Sequence, residues 1–257
     1  MSKRQEMREK RQRAQRTQRL MLIIGVVIIA VAVVGLVIAS QYQPVITGVI
    51  TPAAIKRTQV KDNTAGDPNA PVKIIEYADF QCPFCRNVWR DIEPQVVSTY
   101  VNTGKVYIEF HSVGSFIGNG TQSPHSALAA YCAGDQNKFW EMHDALFANQ
   151  GVENSNALDD AHIKAIAAIV PGLDMSQFNA CFDSGKYAAR VEQDAQDAAK
   201  NIPAATNFAQ VVANDPSMAQ GIHTPSFLVN GALVPGVATF SDFKKIIDDA
   251  LAATGKK

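Results

Sequence analysis

The sequence predicts an α/β domain carried behind a single N-terminal transmembrane helix, and three observations predict it. A basic start is followed by an uncharged run of twenty residues, Leu20 to Ala39. An apolar strand over Val72–Ala78 passes through Cys82-Pro83-Phe84-Cys85 into an amphipathic helix. After a long stretch with helical periodicity only, strand signals return near the C-terminus as a hairpin and a last helix.

Residues 1–19 hold eight Lys or Arg against two Glu. At about 1.5 Å per residue, the apolar run that follows can cross a hydrocarbon core of roughly 30 Å. A cleaved signal peptide would have a shorter apolar core, of about 7–15 residues. The expectation is therefore a cytoplasmic basic tail (1–19), a retained anchor (20–39) and an exported remainder, oriented by the positive-inside rule. Ser40 to about Ala70 contains Pro44, Gly48, Pro52, Gly66 and Pro68 without sustained periodicity and reads as a linker, with the folded domain over 71–257.

Formal net charge is zero over the whole chain. Eight of the 24 basic and two of the 24 acidic residues lie in 1–39, which leaves 16 basic and 22 acidic residues beyond the anchor. Such an acidic surface makes nucleic acid an unsuitable partner.

The helix that leaves the cysteine motif places Cys85, Val88, Trp89, Ile92 and Val96 at i, i+3, i+4, i+7 and i+11, so Cys85 belongs to its inward face. Cys82 stands at the helix tip, where unpaired N–H groups and the positive end of the macrodipole stabilise an anion. A thiolate there has a depressed pKa, which makes Cys82 the reactive sulfur and Cys85 the resolving one. Pro83 suits the first helical turn because it has no N–H to leave unpaired, and Pro94 is expected to kink the helix. A zinc site would need a second close cysteine pair, whereas Cys132 and Cys181 stand alone and far apart. A structural short-range disulfide is the other bland reading, disfavoured by the strand-motif-helix context.

A second strand is expected over Lys105–His111. Ser123-Pro124 reads as a cap and first turn of a helix, another helix carries Phe139 to Phe147, and further helical segments fall near Leu158–Val170, Met175–Phe182 and Lys186–Lys200. Strands Ser226–Val229 and Ala232–Val234 flank Asn230-Gly231, the strongest short signal for a two-residue hairpin. Thr239-x-x-Asp242 is a candidate capping box for the last helix. His111, His125, His143 and His162 show no metal-ligand spacing, so no metal site is expected, and no glycine-rich phosphate loop is present.

The run Glu76-Tyr77-Ala78-Asp79-Phe80-Gln81-Cys82-Pro83-Phe84-Cys85, with Gly221-Ile222-His223-Thr224-Pro225-Ser226-Phe227-Leu228-Val229-Asn230-Gly231 far downstream, resembles the DsbA-type branch of the thioredoxin superfamily. The resemblance covers about Ala70 to Thr254. It implies a thioredoxin fold interrupted by a helical insertion (about 120–200), with no cofactor, acting on protein thiols and disulfides outside the cytoplasm. Cys82 then matches the nucleophilic cysteine, Cys85 its buried partner, and Pro225 the proline held cis beside them. Thr224 would offer backbone groups to an extended substrate, on a substrate-binding surface shared with Pro83 and Phe84. Glu76 matches a buried acid behind the motif, able to shuttle the Cys85 proton if it is buried rather than solvent-facing.

Three features depart from the family pattern. Strongly oxidising members often carry a histidine inside the motif, where this chain has Pro83-Phe84. Residues 201–218 are longer than the usual connection, consistent with a loop or extra helix beside the substrate groove. His223 precedes Thr224 and either tunes Cys82 or faces solvent. For Cys132 and Cys181 an oxidising compartment and similar pairs in relatives suggest a structural disulfide; two buried free thiols are the alternative.

The expected function is a membrane-tethered extracytoplasmic oxidoreductase that introduces disulfides into exported protein substrates and is reoxidised by a quinone-linked membrane oxidase. A reductase or isomerase of the same fold would be told apart by a potential near or below about −270 mV. A tethered binding or holdase domain would tolerate the loss of Cys82.

Overall fold

The computed structural model describes residues 16, 19–35, 48–114 and 120–255. Residues 19–35 form one helix, α1, whose apolar side chains are exposed along its length, Leu20 and Val34 among them. The rest of the expected anchor, 36–39, lies outside the described residues, as does nearly all of the basic tail. Among the described residues no helix is long and apolar enough to cross a membrane. Seventeen residues at about 1.5 Å each fall short of a core of roughly 30 Å.

The folded unit is built on a five-stranded sheet of order β1-β3-β2-β4-β5. The strands are β1 Thr64–Ala65, β2 Val72–Ala78, β3 Val106–Ser112, β4 Ser226–Val229 and β5 Ala232–Val234. β2 is central, parallel to β3 and antiparallel to β4, so both of its edges are paired. Ile74, Tyr77 and Ala78 are buried, while Lys73 near the start of the strand is exposed. Parallel pairing requires a crossover between β2 and β3. It is supplied by α2 (Pro83–Asp91) and α3 (Glu93–Val96), which runs on into a π turn, Val97–Val101. The expected kink falls at this junction: Pro94 sits at the second position of α3, where its missing N–H costs nothing. Cys85, Val88, Ile92 and Val96 are all buried, as the apolar spacing requires, and Trp89 is partly so.

Asn230 and Gly231 close the β4–β5 hairpin with φ of 46° and 84°, the double left-handed geometry of a type I′ turn. The last helix, α10 (Phe240–Ala253), is capped by Thr239 Oγ1, which accepts from the Asp242 N–H at 3.2 Å. Asp242 does not reach back to the backbone as in a full capping box; its carboxylate accepts the Thr239 hydroxyl at 2.7 Å.

Between β3 and β4 stand the helices of the insertion: α4 (Gln122–Gly134), α5 (Phe139–Ala148), α6 (Asp160–Ala168), α7 (Met175–Asp183) and α8 (Ala188–Asn201), followed by α9 (Phe208–Asn214) and a 3₁₀ turn, Pro216–Ala219. Ser123 does not cap α4. The helix starts at Gln122, and the Ser123 hydroxyl donates instead to buried Asp79 at 3.0 Å, because that carboxylate has no solvent to satisfy it. Phe80, Phe110, Phe139, Trp140, His143 and Phe147 form an aromatic core between sheet and insertion. Cys132 of α4 and Cys181 of α7 are joined by a disulfide.

The expected linker needs correction over most of its length. Residues 48–70 are part of the folded unit: β1 pairs with β3, the Ile50 N–H donates to Asn149 Oδ1 at 2.7 Å, and the side chain of Arg57 is buried. Gly66 permits the close approach after β1. Its φ is +94°, and a Cβ there would lie 2.4 Å from the Val106 carbonyl oxygen. No hydrophobic periodicity announces a two-residue strand and a buried cation, so the polar composition reads as a tether.

Candidate active site

The turn from β2 into α2 is held by side chains that come from both sides of it. Asp79, 2% exposed, accepts from the Gln81 N–H and from Ser123, while its own carbonyl accepts the Cys82 N–H at 3.0 Å. Gln81 donates to Ser123 Oγ at 2.8 Å and accepts from the Asn154 N–H at 3.0 Å. Burial pushes the Asp79 carboxyl above its ordinary range, against the stabilising bonds from Gln81 and Ser123. The result is a turn with no free backbone play, ending at the N-cap of α2.

Cys82 is that N-cap residue, in extended backbone conformation, with Pro83 next in the chain. Its Sγ lies 3.4 Å from the Thr224 carbonyl oxygen, to which the protonated thiol donates. The Cys82 thiol is lowered to about 6. The Cys85 thiol donating to it is the largest cause. The Thr224 side chain and the N–H groups of Cys85 and Phe84 add to this, and together they outweigh burial. Cys85 is 1% exposed, and its thiol is pushed well above the ordinary value, first by burial and then by donating to Cys82. The two sulfurs are therefore unequal: one is ionised near neutrality and reachable, the other protonated and enclosed.

The Thr224–Pro225 bond is cis, and Pro225 is buried beside the motif. Phe84 is 67% exposed. With Asn87, Met218, His223, Thr224 and Pro225 it lines a groove of about 560 Å³. Met218 comes from the 3₁₀ turn of the long 201–218 connection, which thus forms one wall of that groove. His223 is exposed and bonds the Ser217 carbonyl through Nε2 at 3.1 Å; it is not among the groups acting on Cys82.

Glu76 is 4% exposed, between Phe110 of β3 and Phe227 of β4 in the sheet register. Burial raises its pKa well above the ordinary value, Glu93 raises it further, and Arg57 opposes both. Glu93, His143 and Asp144 bring ligand-type atoms within 4.8 Å of one another. Arg57 already supplies the positive charge there, bound to Glu93 Oε1 at 2.7 Å and to Asp144 Oδ1 at 2.8 Å.

Arg57, Glu93 and Asp144 carry no signal of their own in the sequence. Each acts through a partner distant in the chain, and none stands in a motif.

A reactive thiol at a helix tip, a buried thiol one turn on and a cis-proline loop against them define a thiol-disulfide oxidoreductase. A thioredoxin family model matches residues 58–249. The chain belongs to the thioredoxin family, and within it to the DsbA-like oxidoreductases. The protein named probable disulfide bond formation protein D in Bacillus cereus is 28% identical over 187 residues, 72% of this chain and 77% of that one. Oxidised BdbD from Bacillus subtilis shares the fold with a TM-score of 0.58 at 22% identity, covering 74% of this chain and 93% of its own. Wolbachia pipientis α-DsbA1 does so with a TM-score of 0.58 at 22% identity, over 75% and 92%.

Proposed function

We propose that the protein is a membrane-tethered oxidant of exported proteins that works through Cys82 and Cys85. The observation that carries this reading is the contrast between the two sulfurs, with Cys82 lowered to about 6 and Cys85 raised. A substrate thiolate attacks Cys82 Sγ of the oxidised pair. The Cys82–Cys85 bond breaks, and Cys85 leaves with the electron pair and takes a proton from Glu76. A second substrate thiolate then attacks the mixed disulfide, the substrate leaves oxidised, and Cys82 departs as a stabilised thiolate. That stability favours electron flow from substrate to enzyme, at about 1.4 kcal/mol for each 30 mV.

The groove beside Phe84, Thr224 and Pro225 suits an extended chain, with the backbone of Thr224 available for strand-like pairing. Tethering rests on the uncharged run 20–39 and the basic residues before it. An export compartment agrees with the Cys132–Cys181 bridge, since such bonds persist where conditions are oxidising. Reoxidation falls to a quinone-linked membrane oxidase.

Trapping with Cys85→Ala tests the reading. Long-lived mixed disulfides between Cys82 and exported proteins are expected in that variant, and the wild-type Cys82–Cys85 pair is expected to equilibrate with glutathione at a potential well above about −270 mV. A potential at or below that value would make the protein a reductant.

A further inference from the structure

Three carboxylates are enclosed behind the motif: Glu76 of β2, Glu93 of α3 and Asp144 of α5, each 4% exposed. The guanidinium of Arg57 is bound to two of them, Glu93 and Asp144, with its side chain 1% exposed. It donates to Glu93 Oε1 at 2.7 Å and to both oxygens of Asp144 at 2.8 and 2.9 Å. Its carbon lies 4.4 Å from the centre of the Trp140 ring. Trp89 Nε1 and His143 Nδ1 complete the shell of Asp144 at 3.1 and 3.0 Å. Glu76 receives no hydrogen bond from Arg57, yet it lies within the field of both Arg57 and Glu93.

We propose that Arg57 is a positioning residue for proton transfer between Glu76 and Cys85. By binding Glu93 and Asp144 it sets the charge around Glu76, so that this carboxyl can give up and take back a proton within the catalytic cycle. The inference rests on the shuttle role of Glu76 described above. Charged and titratable groups facing Glu76 are Cys85 from α2, Glu93 from α3, and Arg57, with Asp144 and His143 of α5 behind Arg57. The other elements packed on β2 present apolar residues: Phe110, Phe227, and Phe243 and Ile247 of α10.

The physics gives opposite signs for two substitutions. Without the guanidinium, Glu76 would sit among buried negative charge only, and its proton would be held more tightly. Without the charge of Glu93, the remaining field would be more positive and the proton would leave more easily. Because Arg57 comes from the segment between the apolar run and β1, that segment is a working part of the active site.

The test follows one balanced step in the full-length protein. Cys82 is first joined to glutathione as a mixed disulfide. The Cys85 S–H gives its proton to the Glu76 carboxylate, the Cys85 sulfur attacks Cys82 Sγ, and the Cys82–glutathione bond breaks. Glutathione leaves as a thiolate with the electron pair, so its sulfur is reduced and Cys85 is oxidised, with no other oxidant. Glutathione release is measured against pH in the wild type, R57Q, R57K, E93Q and E76Q, with alkylation of Cys82 followed in parallel.

R57Q is expected to move the midpoint of the profile up by about one pH unit, a tenfold change in rate on its slope. E93Q is expected to move it down, R57K to leave it near the wild type, and Cys82 alkylation to be unchanged throughout. If R57Q fails to fold, E93Q and R57K decide. Midpoints that shift in the same direction, or not at all, while E76Q abolishes the titration would overturn the role of Arg57 alone. A wild-type profile in E76Q would overturn the shuttle itself, and the inference with it.

Discussion

Gln150 Nε2 donates to the carbonyl oxygen of Cys82 at 2.8 Å, and the same amide group donates to the Phe80 carbonyl at 2.7 Å. The helical insertion thereby fastens the turn that presents the reactive sulfur, from 68 residues further along the chain. Gln150 is 2% exposed, so Gln150→Ala removes a buried donor from the Phe80 and Cys82 carbonyls. A buried acceptor left unpaired costs about 1–3 kcal/mol. The expected loss is about 2 kcal/mol, measured by urea unfolding with the pair oxidised; a loss within error of zero would show that the turn holds itself.

Cys82 is expected to alkylate with a midpoint near pH 6, the value to which its partners lower it. Its folded pKa lies below the unfolded one, so the thiolate stabilises the reduced protein fully above about pH 9, and that stabilisation is lost as pH falls through about 6. Thermal melts of the reduced form should rise relative to the oxidised form as pH climbs through this window, and reduced Cys82→Ser protein should lack that rise. A midpoint near 9 would leave the helix tip and Thr224 without electrostatic effect.

Much of this site was legible because its signals are local. Cys82, Pro83 and Cys85 sit within four residues, the stripe from Cys85 to Val96 repeats at helical spacing, and Asn230-Gly231 carries its own turn geometry. The electrostatics behind the motif were not legible. Arg57 meets Glu93 across 36 residues and Asp144 across 87, and no periodicity pairs a cation in a polar stretch with carboxylates on two helices. Ser123 misled for a related reason: its position before a proline suits a cap, but the unmet need of Asp79 for a donor takes its hydroxyl. Likewise, β1 is too short to alternate.

His111 gives a prediction of the opposite sign to Cys82. Burial works against its charge, but bonds to Asp194 at 2.8 Å and Glu109 at 2.9 Å raise it to about 9. Asp194 also accepts from Tyr131 and from Arg190 Nε at 3.1 Å, tying β3, α4 and α8 together. A raised pKa means that this stabilisation is complete below the unfolded value of about 6.5 and is lost as pH rises through about 9. Guanidinium midpoints should fall between pH 7 and 10 in the wild type and fall less in His111→Gln. Equal slopes would refute a charged His111.

The Cys132–Cys181 bridge closes 49 residues of the insertion, from α4 to α7. In the loop-entropy model a closure of that length stabilises by about 4 kcal/mol, chiefly by restricting the unfolded chain. Both sulfurs are buried, and Phe178 and Phe182 stack beside the α7 end with centroids 5.8 Å apart, so the native packing survives loss of the bond better than the unfolded ensemble does. The double substitution Cys132→Ala, Cys181→Ala is therefore expected to lower unfolding free energy by about 4 kcal/mol while Cys82 still alkylates near pH 6. The two measurements separate a staple from a second redox centre. If stability holds and turnover with a dithiol substrate falls instead, electrons pass through this pair and its role is chemical.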